Sequence, residues 1–155
     1  MYKRQIYSSN SDASLNNSSV SGNVSQGSGG GIYNRSADVS LTNSTVHGNS
    51  TTSAGSDGGG VYSRFGDLSF NSSTVSENVS AGSGGGIGTN YGDVALTNST
   101  VSGNNASGSG GGLESNASTV LLVSSTISGN SVSGVGGGIS FRTVSYTHLT
   151  LPTKA

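Results

Sequence analysis

The sequence repeats itself about every 26 residues, and this period restricts the chain to a stacked, repetitive fold. A Gly-Gly-Gly-apolar element alternates along the chain with a Ser-Ser/Thr-Val/Ile-x-x-Asn element. The asparagines that end the second element are separated by 26, 29, 26 and 26 residues: Asn23, Asn49, Asn78, Asn104 and Asn130. The three extra residues of the longer spacing lie within 50–58, a Ser/Thr/Gly-rich stretch typical of a loop.

Each unit contains three short stretches with the two-residue alternation of a strand that has one buried face. In the second unit these stretches are 30–33, 39–42 and 44–47. No window has helical periodicity, and Gly, Asn and Ser fill the joints. The predicted fold is therefore all-β: a right-handed parallel β-helix, or solenoid, of about five rungs with three short strands each. Right-handedness follows from the strong preference of parallel crossover connections.

The alternation also predicts which side chains point into the solenoid. We expect three inward apolar rows: Ile6, Ile32, Val61, Ile87, Leu113 and Ile139; Leu15, Leu41, Phe70, Leu96 and Leu122; Val20, Val46, Val75, Val101 and Ile127. The recurring Ser and Asn residues are expected to stack at corners, where Asn amides can form a hydrogen-bonded ladder.

Composition excludes several classes of function. Hydrophobic residues make up 30% and charged residues 8%, so the core must be narrow. The absence of Cys excludes a disulfide or a thiolate metal site. A net charge of −1 predicts no nucleic-acid partner, and no apolar run approaches the ~20 residues of a membrane-spanning helix. The Gly-rich loops fit neither a calcium nonapeptide repeat nor a phosphate-binding loop, because only Asp57 lies in such a loop and no Gly-Lys-Ser/Thr occurs. We predict no metal and no cofactor.

The two ends depart from the repeat. The positions that should hold Gly-Gly-Gly before residue 6 hold Lys3-Arg4-Gln5, and the positions equivalent to Val39 and Leu41 in the last unit hold Tyr146 and His148. Both ends resemble translated sequencing-adapter read-through from metagenomic assemblies. We therefore interpret 1–5 and 144–155 as artefactual and 6–143 as β-helix repeats, a fragment of a larger domain that would make end-to-end contact with flanking rungs.

The paired motifs resemble a family. Gly-Gly-Gly-Ile at 29–32 and Asn-Ser-Thr-Val at 43–46 are similar to the β-helix repeats of polymorphic outer membrane proteins and autotransporter passengers, whose short marks are Gly-Gly-x-apolar and Phe-x-x-Asn. In Val46-His47-Gly48-Asn49, Val replaces Phe. The resemblance covers 6–143 and implies secretion, display on a bacterial cell surface, and adhesion or carbohydrate contact, with glycans or a host or neighbouring cell surface as partners.

Charge and aromatic residues concentrate in one part of the repeat. Asp38, Asp67 and Asp93 recur at one position, with arginines and aromatics just before them. We call this set the aromatic edge: Tyr33, Arg35, Asp38, Tyr62, Arg64, Phe65, Asp67, Tyr91 and Asp93. One hypothesis is a shallow glycan-binding strip, in which aromatics stack on sugars and Asp and Arg form hydrogen bonds. The alternative is a solvated edge on which Arg relieves repulsion between stacked Asp residues.

The predicted function is a non-catalytic structural or adhesive segment of an extracellular or cell-surface bacterial protein. One alternative is a fragment of a pectate-lyase-like, carbohydrate-active enzyme, since that class shares the fold. A remote alternative is an ice-binding β-helix, because Thr-x-Ser triplets such as 74–76, 100–102 and 126–128 would form a flat array of hydroxyl groups, although His47 interrupts it. No residue is predicted to be catalytic.

Overall fold

A computed structural model describes residues 5–143, and these residues form a parallel β-solenoid. The strands follow one another, rung by rung, as β1 (Ile6–Ser9), β2 (Ala13–Asn16), β3 (Ser19–Ser21), β4 (Val24–Ser25), β5 (Ile32–Arg35), β6 (Val39–Thr42), β7 (Thr45–His47), β8 (Ser50–Thr51), β9 (Val61–Arg64), β10 (Leu68–Asn71), β11 (Thr74–Ser76), β12 (Val79–Ser80), β13 (Ile87–Asn90), β14 (Val94–Thr97), β15 (Thr100–Ser102), β16 (Asn105–Ala106), β17 (Leu113–Asn116), β18 (Val120–Val123), β19 (Thr126–Ser128), β20 (Ser131–Val132) and β21 (Ile139–Phe141).

Each strand pairs in parallel with its equivalents in the neighbouring rungs, which gives four sheets along the solenoid. Sheet A contains β1, β5, β9, β13, β17 and β21, and sheets B, C and D begin with β2, β3 and β4. The register matches equivalent residues of the repeat, as in the pairing of Ile32 with Val61. The predicted β-helix of about five rungs is confirmed; its right-handedness stays a prediction.

The three predicted strands of each rung are present, and sheet D adds a fourth that the sequence did not reveal. Its strands have two residues each, too few for an alternating pattern. Their inward residues are small or polar in four of the five strands, namely Ser25, Thr51, Ser80 and Ala106, and only β20 has a larger apolar residue there, Val132. The insertion at 50–58 falls at this sheet and leaves the other three in register, as predicted.

The predicted inward rows form the core. Ile32, Leu41, Phe70, Val75 and their equivalents in the central rungs are buried. Members at the ends of the described solenoid are less enclosed, with Ile6 38% exposed, because a terminal rung has a neighbour on one side only.

Between 5 and 143 the structure contains no helix that is long and apolar enough to cross a membrane. The predicted artefactual ends lie, except for Gln5, outside the described residues.

Three ladders of side-chain hydrogen bonds reinforce the stacking. In the Asn ladder, Nδ2 of Asn49 donates to Oδ1 of Asn78 at 3.0 Å, and Nδ2 of Asn78 donates to Oδ1 of Asn104 at 2.9 Å. In the Ser ladder, the backbone N–H of Ser44 donates to Oγ of Ser73 at 3.1 Å. The predicted corner roles of Asn and Ser are thus confirmed. The third ladder, built from Asp, lies beneath the aromatic edge.

Candidate functional site

The aromatic edge lies where sheet A turns into sheet B. Two strands of sheet A end at Arg35 and Arg64, and β1, β13 and β17 end at equivalent positions. The residue after the strand has a positive φ and turns the chain, as Phe65 (63°) and Tyr91 (61°) do. Two residues later comes the Asp position, immediately before the sheet B strand. Because the rungs are in register, the nine predicted residues form adjacent columns along this corner. The structure therefore brings together the residues that the sequence grouped.

The tyrosines stack on one another on the outer face of sheet A. The ring centroids of Tyr7 and Tyr33 are 5.2 Å apart, and those of Tyr33 and Tyr62 are 5.8 Å apart, with interplanar angles of 5° and 28°. The column continues with Gly88 and Glu114. Tyr7 was missing from the predicted set, although Ile6-Tyr7 aligns with Ile32-Tyr33 in the repeat. Because the rings face each other, both faces of Tyr33 are covered.

A second aromatic pair occupies the corner itself. Phe65 and Tyr91 stack with their centroids 5.3 Å apart, and the guanidinium carbon of Arg64 lies 4.9 Å from the centroid of Phe65. Stacking occupies one face of Tyr91, and its other face points toward the next rung, where the equivalent residue is Ala117. Tyr91 is 58% exposed. It is therefore the aromatic of this pair with a face open to a ligand.

The Asp residues form the third ladder. The backbone N–H of Asp38 donates to Oδ1 of Asp12, that of Asp67 to Asp38, and that of Asp93 to Asp67, at 3.0, 2.9 and 2.8 Å. Thr119 continues the ladder by donating to Asp93 at 2.7 Å. The side chains are exposed, and no ion pair in the described range joins them to an arginine. Asp therefore recurs at this position because its carboxylate accepts a backbone N–H of the next rung. Ion pairing with Arg35 or Arg64 does not explain the recurrence.

A shallow groove lies beside the Asp ladder on the outer face of sheet B. Its volume is about 350 Å³. The surface of the groove is mostly apolar, and it is lined by Asp67, Leu68, Ser69, Asp93, Val94, Ala95, Thr119 and Leu121. The repeat pattern did not predict this groove. The available signal was a departure from the repeat, since Ala95 and Leu121 stand in a column that otherwise contains Ser.

A second polar cluster, also missed by the sequence analysis, lies on sheet A. Glu114 is only 4% exposed, and Nε of Arg142 lies 3.1 Å from its Oε1. Burial, followed by the charge of Asp57, raises the pKa of Glu114, whereas Arg142 lowers it. Burial also raises the pKa of Asp57, and this effect outweighs the hydrogen bond from the Ser83 N–H and the charge of Arg142, which both lower it.

The same cluster influences Tyr62, whose pKa is raised by burial first and then by the charge of Asp57. No third His, Cys, Asp or Glu side chain within 5–143 joins Asp57 and Glu114 in a group that could hold a metal ion. The sequence did contain a signal for this cluster, namely a departure from the repeat. The position of Glu114 is occupied by Tyr in three other rungs.

The stacked rungs, the parallel register and the Asn ladder define a parallel β-helix repeat segment. Residues 17–35 match the repeat of the Chlamydia polymorphic membrane proteins. The matched stretch runs from the end of the first rung through β5, and includes Asn23 and the Gly-Gly-Gly-Ile element. No curated protein and no solved structure matches the chain. The match and the fold fit a β-helix segment of a bacterial outer-membrane or surface protein.

Proposed function

We propose that this segment is a non-catalytic, structural and adhesive part of a bacterial cell-surface or secreted protein. The observation that carries the proposal is how the recurring polar side chains are used. Asn, Ser and Asp at equivalent positions all bond to the backbone of a neighbouring rung. Their recurrence therefore serves the stacking of a long, rigid rod, which is what a stalk or display segment requires.

The adhesive part of the proposal rests on the aromatic edge. Outside this edge the surface is mostly Ser, Thr, Gly and Asn, and the large apolar side chains exposed there are mainly aliphatic, such as Val79, Leu121 and Val135. Specific recognition relies on a few rigid aromatic anchors. Tyr91, with one open face, is the anchor that could stack on a sugar ring, whereas Tyr33 lies between two other rings. The proposed ligand class is a glycan, bound weakly because the surface is shallow.

A glycan array tests this proposal. Wild-type protein should be retained by at least one glycan, and Tyr91→Ala should abolish retention without changing the circular dichroism spectrum. Tyr33→Ala is the matched control, since it removes a ring whose faces are already covered. If the wild type is retained by no glycan, or if the control variant loses as much binding as Tyr91→Ala, the adhesive proposal is wrong.

The enzyme alternative requires a separate measurement. A hydrolytic carbohydrate-cleaving site needs a carboxylic acid with a raised pKa that protonates the leaving group, and Asp57 and Glu114 are the described carboxyls with a raised pKa. The protein should release no new reducing ends or unsaturated products from pectin, polygalacturonate or other plant and bacterial polysaccharides. Turnover that disappears in Glu114→Gln would overturn the non-catalytic proposal.

A further inference from the structure

We propose that the groove on sheet B binds a sugar ring that carries a free amino group, that is, an amino-sugar glycan. This inference rests on the proposed adhesive function and specifies its ligand. It is carried by the groove beside the Asp ladder, where two unpaired carboxylates stand next to an apolar floor. Phe65 and Tyr91 border the same two rungs on the corner side.

The floor of the groove arises from a change along one column of the solenoid. The outward position at the second residue of each sheet B strand is Ser14, Ser40 and Ser69 in the first three rungs, then Ala95 and Leu121. Leu121 remains 43% exposed. The column thus changes from hydroxyl groups to an apolar surface at the rungs that form the groove. The C–H face of a sugar ring packs well on such a surface.

The charge of the groove favours a cation. The Asp ladder uses Oδ1 of Asp67 and Asp93, and Oδ2 of each has no hydrogen-bond or ion-pair partner among residues 5–143. These carboxylates stand one rung apart, about 4.8 Å by the usual strand spacing, so they repel each other. The nearest arginine in the sequence, Arg64, lies over the Phe65 ring. An ammonium group would relieve the repulsion, whereas a uronate or sulfated sugar would increase it.

The remaining lining favours a sugar over a basic peptide. The side-chain hydroxyls of Ser69 and Thr119 form no hydrogen bond in the described structure, so both can exchange hydrogen bonds with ring hydroxyls. An amino sugar carries its ammonium on a rigid ring, whereas a lysine must order a flexible stem at a cost in conformational entropy. In a small, half-open groove the rigid ligand has the advantage.

The test compares two oligosaccharides of equal length, one with free amino groups that can carry charge and one in which N-acetylation has made those groups neutral. Immobilised 155-residue protein is titrated with a β-1,4-linked glucosamine oligomer and with its fully N-acetylated counterpart of equal length. We expect the glucosamine oligomer to bind about tenfold more tightly at low ionic strength, with the difference shrinking in high salt because exposed charges are screened. Equal binding of the two oligomers would overturn the inference while leaving the glycan proposal intact.

Matched variants locate the site. The double variant Asp67→Asn, Asp93→Asn removes both charges, and an Asn Oδ1 can still accept the backbone bond, as it does in the Asn ladder. It should reduce glucosamine-oligomer binding to the N-acetylated level. The control Asp12→Asn, Glu77→Gln removes two exposed carboxylates that lie outside both the groove and the aromatic edge, and should bind as the wild type does. A control that loses as much binding would show non-specific attraction and overturn the site.

Two other outcomes separate the inference from its rivals. Leu121→Ser restores the residue found in the earlier rungs and should weaken both oligomers, since it removes the apolar floor. If a lysine-rich peptide of the same charge binds as tightly as the glucosamine oligomer, the groove recognises basic peptides and the sugar assignment is wrong. If no sugar of any charge is retained, the adhesive function fails together with this inference.

Discussion

Replacing one ladder amide by a carboxyl group should strongly destabilise the solenoid. Asn78 is completely buried. Its Nδ2 donates to the Val46 carbonyl at 3.0 Å and to Oδ1 of Asn104 at 2.9 Å, and its Oδ1 accepts from the backbone and side-chain nitrogens of Asn49 at 2.9 and 3.0 Å. Asn78→Asp preserves the shape and both accepted bonds. It replaces the donating Nδ2 by an oxygen, so the Val46 carbonyl and Oδ1 of Asn104 both lose their donor.

The magnitude follows from those two lost bonds. Each buried polar group left without a partner costs about 1–3 kcal/mol, so the variant should lose roughly 2–6 kcal/mol at neutral pH. Burial of the new carboxylate adds to the cost and raises its pKa. Acid should therefore reduce the loss, because the new carboxyl group, once protonated, recovers one donor.

Urea unfolding followed by circular dichroism measures this effect, with sedimentation to confirm that the species compared are monomeric. Asp67→Asn is the matched control. This variant makes the reverse change, from carboxyl to amide, in the Asp ladder, where the side chain is exposed. It should change the free energy of unfolding by less than about 0.5 kcal/mol. An Asn78→Asp protein that unfolds at the wild-type urea concentration would refute the assigned directions of the amide hydrogen bonds.

Other residues give three further predictions. Glu77→Gly should stabilise the protein by about 0.5–1 kcal/mol, because Glu77 has φ of 53° where equivalent turns hold Gly; an unchanged or lower urea midpoint would contradict this. Gly60→Ala should cost about 1–3 kcal/mol, since a Cβ there would lie 2.7 Å from the Gly86 carbonyl oxygen and 2.9 Å from Nδ2 of Asn78; Gly27→Ala, with open space around it, is the control. Glu114→Gln tests the raised pKa. A carboxyl whose pKa is raised on folding stabilises the fold below its unfolded pKa, near 4.5, and loses that contribution as the pH rises through the folded pKa. The melting temperature of the wild type should therefore rise relative to that of Glu114→Gln as the pH falls from about 7 to 4.5; a constant difference would exclude the effect.

Much of the fold could be predicted because equivalent residues of successive repeats pair with each other. Equivalent residues such as Ile32 and Val61 pair directly, so the alignment of the repeats within the sequence is also the alignment of the strands. The inward apolar rows and the Asn ladder follow from that alignment and from the two-residue period. The fourth sheet could not be predicted, because its two-residue strands contain no recurring apolar position.

An inward polar row was also missing from the predicted core, although the two-residue period places it inward. Asn34, Ser63, Thr89 and Ser115 are buried on sheet A although all are polar. The hydroxyls of Ser63 and Thr89 each donate at 2.7 Å to the carbonyl three residues further on, across the corner. Their burial thus depends on the turn geometry that brings that carbonyl within reach, which the pattern of polar and apolar residues does not specify.

The candidate site was predictable in position but not in detail. The sequence grouped nine residues in one part of the repeat, and the structure places them in adjacent columns near one corner; their role as a glycan-contact site stays a prediction. It could not show that Tyr33 is covered on both faces, that the Asp carboxylates bond to backbone, or that a groove opens beside Asp67 and Asp93. Those features depend on side-chain directions and on which neighbours share a rung.

Recurrence in this solenoid marks residues that build the fold, so departures from recurrence are the better guide to function. Asp57 shows the difference. Its Oδ1 accepts the Ser83 N–H at 2.7 Å, and its own N–H donates to Ser28 Oγ at 3.0 Å, just as the Ser109 N–H donates to Ser83 Oγ. A serine would fill the structural role, yet Asp57 adds a partly buried charge. Leu121, which replaces Ser in its column, departs in the same way. Neither departure is required for stacking, and both lie where the structure places a charged cluster or a groove.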